Sequence, residues 1–213
     1  MVRGRTIFLT VIGILVALQM LFVATSLAPH ALQIVGFLIL SGGGEPMPPL
    51  TGLHAATKAC DVEQVASMLA DGATADLALG PDASFMSGAT PLHIAAGVGC
   101  REIGEMRLDA GADGEARIDG GWSPLHLATD PGTIDALVRR GANVDARGFG
   151  GRAPVMARVT GSSATENALA IDALVANGAD LTIRDDAGET AADLARRFGN
   201  LQIAGRLEGL GGR

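Results

Sequence analysis

A short motif recurs along most of this 213-residue chain, and it constrains the fold more than any other feature. The motif is a capping or small residue, a proline, an aliphatic residue, a histidine and a run of small residues. Its clear copies are Leu53-His54-Ala55-Ala56, Thr90-Pro91-Leu92-His93-Ile94-Ala95-Ala96 and Ser123-Pro124-Leu125-His126-Leu127-Ala128, with weaker copies at 153–157 and 190–195. A supersecondary unit of this size cannot bury its apolar face alone, so neighbouring copies must stack against each other.

Each copy carries local signals for a pair of helices. Thr90 and Ser123 are good helix caps, and the proline that follows each of them suits the first turn of a helix. The next helix of each unit shows an amphipathic apolar stripe, as in Ile134, Leu137 and Val138. A glycine suited to end that helix follows in four units, at Gly72, Gly111, Gly141 and Gly178.

At these residues the chain, over about 50–213, resembles the ankyrin repeat family, whose signature is T-P-L-H-x-A with a period near 33 residues. The resemblance implies an all-α solenoid of about five helix–turn–helix units joined by β-turn fingers, at about 51–82, 89–118, 122–148, 152–184 and 188–210. It also implies that His54, His93 and His126 are structural, each bonding backbone of the adjoining finger. Asp193 takes this place in the last unit, where it can still accept a hydrogen bond.

The repeat is irregular. The four glycines are 39, 30 and 37 residues apart, so two units are longer and one is shorter than the period near 33. We expect the extra residues within 79–87 to lengthen the first finger, placing Phe85 and Met86 near its tip. The missing residues should trim the turn at 130–132, and the extra ones at 160–164 should separate the helices of the fourth unit. The residues that fit the pattern poorly are Gly104, Arg107, Met156 and Arg158.

The amino-terminal part has a different character. Thr6 to Gly44 contains 39 residues without one Asp, Glu, Lys or Arg, and about 20 apolar residues suffice to cross a bilayer. We predict a membrane anchor over residues 1–44, with a span at about 6–27, followed by a proline-rich linker at 45–50. Arg3 and Arg5 favour a cytoplasmic amino terminus.

Three topologies remain open after that span. A second short span at about 29–44 would form a hairpin and leave the repeats in the cytoplasm. This is the favoured alternative, because residues 27–44 show no polar helix face. A single span would instead place the repeats outside the cytoplasm. The third alternative is a cleaved signal peptide, for which the apolar run is long.

Charge and motif content limit the chemistry. Without Arg3 and Arg5 the chain has 14 basic and 23 acidic residues, a net charge of −9, which argues against a nucleic-acid partner. We find no catalytic motif and predict a non-enzymatic protein without a cofactor or a small-molecule substrate. Histidines in consecutive units would lie roughly 10 Å apart, too far to share a metal ion with bonds near 2.1 Å.

Cys60 and Cys100 are the only cysteines, and both lie near the turn between two helices of consecutive units. In an oxidising compartment they could form a disulfide. In the cytoplasm two free thiols are the default.

The predicted function is that of a membrane-tethered scaffold or regulator. It would bind an unidentified protein through the fingers and the concave face, while residues 6–44 contact the bilayer. The binding candidates are Trp122, Arg152, Glu189, Phe85, Met86, Lys58 and Arg197. The alternative is an accessory subunit of a larger membrane complex, docked through its transmembrane hairpin.

Overall fold

The computed structural model describes residues 52–211, apart from residues 75, 81–85 and 161–163. This part of the chain is helical and contains no β-strand. Its α-helices are α1 (Gly52–Lys58), α2 (Val62–Ala70), α3 (Pro91–Val98), α4 (Arg101–Asp109), α5 (Pro124–Leu127), α6 (Pro131–Arg139), α7 (Pro154–Ala157), α8 (Ala164–Ala176), α9 (Ala191–Arg197) and α10 (Leu201–Gly211). Two short 3₁₀ turns lie at Phe149–Gly151 and Arg158–Thr160.

The helices form five consecutive pairs that stack along the chain. The first helices of neighbouring pairs pack on each other, α1 on α3, α3 on α5 and α5 on α7. The second helices do the same, α2 on α4, α4 on α6, α6 on α8 and α8 on α10. We call the first helices inner and the second helices outer. The predicted all-helical repeat fold is confirmed for the described residues.

The helix ends follow the sequence signals. Proline occupies the first turn of α3, α5, α6 and α7, where its missing N–H leaves no intrahelical bond unmade. The four glycines that follow outer helices have φ between +87° and +93°, the left-handed region that disfavours a side chain. This conformation turns the chain out of each outer helix and into the next finger.

The inner helices contribute alanines and leucines to the core, and the outer helices contribute mainly larger aliphatic residues. Ala95 and Ala96 of α3 are completely buried, which lets the neighbouring helices approach closely. The main cluster runs through the second to fifth pairs, and its largest members are Leu92, Leu125, Ile134, Leu137, Met156, Ile171, Leu174, Leu194 and Ile203. A smaller cluster around Val65 and Ile103 joins the first pair to the second.

Met86 corrects one expectation about the first finger. We expected it near an exposed tip, but it is only 2% exposed and packs with Leu79, Ala89 and Ile118. The long first finger therefore has an apolar cluster of its own. Phe85 lies outside the described residues.

The predicted anchor at 1–44 and the linker at 45–50 also lie outside the described residues. In the part of the chain that is described, no helix combines the length and the apolar character that a bilayer crossing requires.

Candidate interaction surface

The fingers are held to the helices by the repeated histidines. His54, His93 and His126 each donate from Nε2 to a backbone carbonyl of the next finger, at Ala89 (3.1 Å), Trp122 (3.2 Å) and Arg152 (3.1 Å) respectively. Each acceptor is the residue just before the cap of the next inner helix. The three bonds therefore set the spacing of successive fingers.

The other ring nitrogen of two histidines contacts the start of its own helix. The N–H of Thr90 donates to Nδ1 of His93 at 3.2 Å, and the N–H of Ser123 donates to Nδ1 of His126 at 3.1 Å. Because Nδ1 accepts, the ring proton is on Nε2, where the finger carbonyl needs a donor. Burial lowers the pKa of both imidazoles from 6.5 to about 4, so both are neutral at physiological pH.

In the fourth unit Met156 replaces the histidine and cannot donate such a bond. A buried ion pair lies there instead, with Arg152 Nε 3.5 Å from the Asp185 carboxylate. Asp185 also accepts from the backbone N–H groups of Ala187 and Glu189. The side chains of Arg152 and Asp185 are 9% and 2% exposed, so the pair connects two fingers beneath the surface.

A row of arginines runs across three fingers, and we did not predict it. Arg117 Nη1 donates to the carbonyls of Gly121 (2.7 Å) and Arg147 (2.8 Å). Arg147 Nη1 donates in the same way to Gly151 (3.1 Å) and Arg184 (3.0 Å). These two guanidinium groups thus each bond their own finger and the next one, and Arg184 Nη1 completes the row by donating to Gly188 (2.7 Å) of its own finger. The signal was present in the sequence, because each arginine of the row lies four residues before a finger glycine.

The seven predicted binding candidates do not share one environment. Trp122 is half-buried against the apolar cluster of the first finger, with its ring centroid 5.9 Å from that of His126. Glu189 is partly exposed and pairs with the exposed Arg197 at 2.9 Å. The guanidinium of Arg197 also lies 4.9 Å from the ring centroid of Phe198. Lys58 is exposed at the end of α1.

Arg152 and Met86 need correction as contact residues. Both are buried, Arg152 in its pair with Asp185 and Met86 in the cluster of the first finger. A partner cannot reach either side chain without opening a finger. The accessible set, which we call the finger surface, is Trp122, Glu189 and Arg197 with the arginine row Arg117, Arg147 and Arg184.

The outer side of the stack carries a groove of about 200 Å³ between α4 and α6. Its charged groups pair across it, Arg139 with Glu105 at 3.8 Å and Arg140 with Asp109. Within the described residues, no group of three or more histidine, cysteine or acidic side chains is placed to hold a metal ion. Cys60 and Cys100 form a disulfide between the first two pairs.

The stacked helix pairs, the fingers between them and the histidine bonds define the class of the protein, a helical repeat protein with β-turn fingers. The family model described as the ankyrin repeat matches residues 120–149, which span the finger before α5, the helices α5 and α6, and the finger after them. This match, over one repeat, supports an ankyrin repeat family. Proteins of this family generally mediate protein–protein interactions and are typically not enzymes.

Proposed function

We propose that this protein is a membrane-tethered interaction module that binds a protein partner through its finger surface. The observation that carries the proposal is the fixed register of the fingers. Histidine bonds hold the fingers to the inner helices, and the bonds of Arg117 and Arg147 join their fingers to the next ones. A surface that is ordered before binding loses less conformational entropy when a partner docks.

The side chains of the finger surface suit protein recognition. Guanidinium groups and tryptophan are enriched among residues that dominate binding energy at interfaces. The arginine row bonds backbone through one nitrogen of each guanidinium, and the side chains of Arg117 and Arg184 remain 39% and 64% exposed. These groups are positioned by the fold and still reach solvent.

The membrane part of the proposal rests on the 39-residue charge-free run from Thr6 to Gly44. A run of this length and composition supports insertion into a bilayer. The tether would keep the repeats and their partner close to the membrane. We expect the full-length chain to sediment with membranes and to resist a high-salt, alkaline wash, whereas a chain without residues 6–44 should be washed off.

The binding surface can be tested with a matched pair of positions. Arg184 in the finger surface and Arg139 on the outer helix α6 have side chains 64% and 65% exposed, and each lies close to 4 Å from one carboxylate. A photo-cross-linking amino acid at position 184 of the membrane-bound protein should capture a partner, and one at position 139 should not. Equal capture at both positions would refute binding through the finger surface.

The accessory-subunit alternative predicts a different result. If the membrane segment is the docking part, cross-linkers within residues 6–44 should capture the partner and position 184 should capture none. A variant without the repeats would then still co-purify with the complex.

A further inference from the structure

The first two helix pairs are joined covalently. Cys60 lies in the turn between α1 and α2, and Cys100 is the residue just before α4. Their Cα atoms are 5.8 Å apart, and 40 positions separate them in the sequence. Since the chain has two cysteines, the bond uses both of them.

Cys60 occupies a position that favours glycine. Its φ is +55°, and it is the one non-glycine residue of the described chain with a positive φ. The corresponding turns of the second and fifth units have Gly99 and Gly199 there, with φ of +73° and +76°. A residue with a Cβ is disfavoured in this conformation.

Cys100 occupies a position that favours a capping side chain. In the first and third units Asp61 and Asp130 precede the outer helix and accept from the N–H groups of Gln64 (3.0 Å) and Thr133 (2.8 Å). Cys100 makes no such bond to α4. A free cysteine would therefore be less stabilising than glycine at position 60 and less stabilising than aspartate at position 100. The disulfide accounts for both departures together.

We infer that the repeat domain occupies an oxidising compartment outside the cytoplasm and that the chain crosses the membrane once before it. Structural disulfides form and persist in such compartments and are rare in the cytosol. With Arg3 and Arg5 on the cytoplasmic side, one crossing by residues 6–27 delivers the repeats to the far side, whereas a hairpin returns them. The inference builds on the proposed tether and selects the single span over the hairpin.

The bond requires an oxidant, and we assign this role to a disulfide-exchange protein of that compartment. The thiolate of one cysteine attacks a sulfur of the oxidant's disulfide, forming a mixed disulfide and releasing one oxidant thiol. The thiolate of the other cysteine then displaces the second oxidant thiol. Overall, two cysteine thiols lose two protons and two electrons, and the oxidant's disulfide becomes a dithiol.

The compartment can be tested with the full-length chain in a Gram-negative bacterial host. Alkaline phosphatase fused after Arg213 should be active, and a green fluorescent protein at the same place should be dark. Cells quenched in acid and alkylated with a polyethylene-glycol maleimide should show no modified cysteine before reduction and two afterwards. A fluorescent fusion with inactive phosphatase, or two thiols modified without reductant, would overturn the inference.

The control is the double variant C60G/C100D, which restores the residue types found at these positions in other units. It should keep the topology of the parent and show no maleimide shift in either condition. In a host without the disulfide-exchange oxidant, we expect protease resistance of the first two helix pairs to fall several-fold in the parent and to stay constant in the variant. An equal loss of protease resistance in the parent and the variant would show that the disulfide does not stabilise these helix pairs.

Sedimentation of the same fusions separates two kinds of failure. An active phosphatase in the soluble fraction refutes the retained tether of the proposed function, but leaves the compartment as inferred. A membrane-bound chain with a fluorescent fusion refutes the inference and leaves the tether intact.

Discussion

Acidification should destabilise the stack, because the repeated histidines must be neutral to hold the fingers. His93 and His126 have a pKa of about 4 in the folded chain, against 6.5 for an unperturbed imidazole. Burial is the largest cause at both sites, and the Arg117 and Arg158 charges add to it at His126. Each histidine therefore binds its proton more readily in the unfolded chain.

The sign and size follow from proton linkage. Between pH 6.5 and about 4 the unfolded state binds more protons, so the free energy of unfolding falls as the pH falls. The full difference between a pKa of 6.5 and one of about 4 corresponds to roughly 3 kcal/mol for each histidine. By pH 5 each site should have lost roughly 2 kcal/mol, which is a large fraction of the stability of a typical domain.

The single tryptophan provides the assay. The carbonyl of Trp122 accepts the bond of His93, and its ring lies beside that of His126, so its fluorescence reports on this finger. Urea unfolding of the full-length protein in detergent, followed by this fluorescence at pH 7, 6 and 5, should give midpoints that fall with pH. In the variant H93Q/H126Q, glutamine keeps an uncharged N–H donor, and the pH dependence should become much weaker. His54, whose pKa is also lowered by burial, still contributes in this variant. A midpoint that is constant from pH 7 to 5 in the parent, or an unchanged slope in the variant, would refute the reasoning.

Three further predictions concern the same stack and can be measured by urea unfolding. A Cβ at Gly148 would lie 2.8 Å from Nε2 of His126, the nitrogen that bonds the finger. The substitution G148A should therefore lower the free energy of unfolding by about 1–3 kcal/mol. At Gly120 a Cβ meets nothing within 4 Å, and G120A should change the free energy of unfolding by no more than about 0.5 kcal/mol. Equal losses of stability in G148A and G120A would contradict a role of the contact at Gly148. R152M leaves the Asp185 carboxylate buried without its cation and should cost about 3–5 kcal/mol, whereas a loss below about 1 kcal/mol would show that the pair carries little stability. Reduction of the disulfide should cost the first helix pair about 4 kcal/mol, the chain-entropy value for a 40-residue loop; an unchanged unfolding midpoint with dithiothreitol would refute it.

Local signals in the sequence predicted the helices, and the resemblance to a repeat family implied the role of the histidines. Thr90 and Pro91 start α3, and the glycine after each outer helix adopts the expected left-handed conformation. His93 bonds the next finger, as the resemblance implied. These features depend on residues within one unit or on the register of the next unit, and the recurring motif specifies both.

Exposure in the fingers was harder to predict, because it depends on what the next finger places opposite a residue. Arg152 and Trp122 occupy the same position in consecutive fingers, yet Arg152 is buried and Trp122 is half-buried. Asp185, more than thirty residues further along the chain, forms an ion pair with Arg152 below the surface. No pattern within one repeat marks such a pair, and the type of residue alone suggested a surface role for Arg152.

Two irregularities that looked independent in the sequence are physically coupled. The turn after the third motif is short, so the next helix begins at Pro131 and α5 has only four residues. The last carbonyls of α5 therefore have no intrahelical donor. The poorly fitting Arg158 of the next unit supplies that donor, from Nη2 to the carbonyl of His126 (2.8 Å) and from Nη1 to that of Leu127 (3.3 Å). Arg158 is completely buried, and burial lowers its pKa to about 10, so it remains a cation at neutral pH. The shortened turn of one repeat thus leaves helix carbonyls without donors, and the buried arginine of the following repeat supplies them. This pairing explains how the stack accommodates repeats of unequal length.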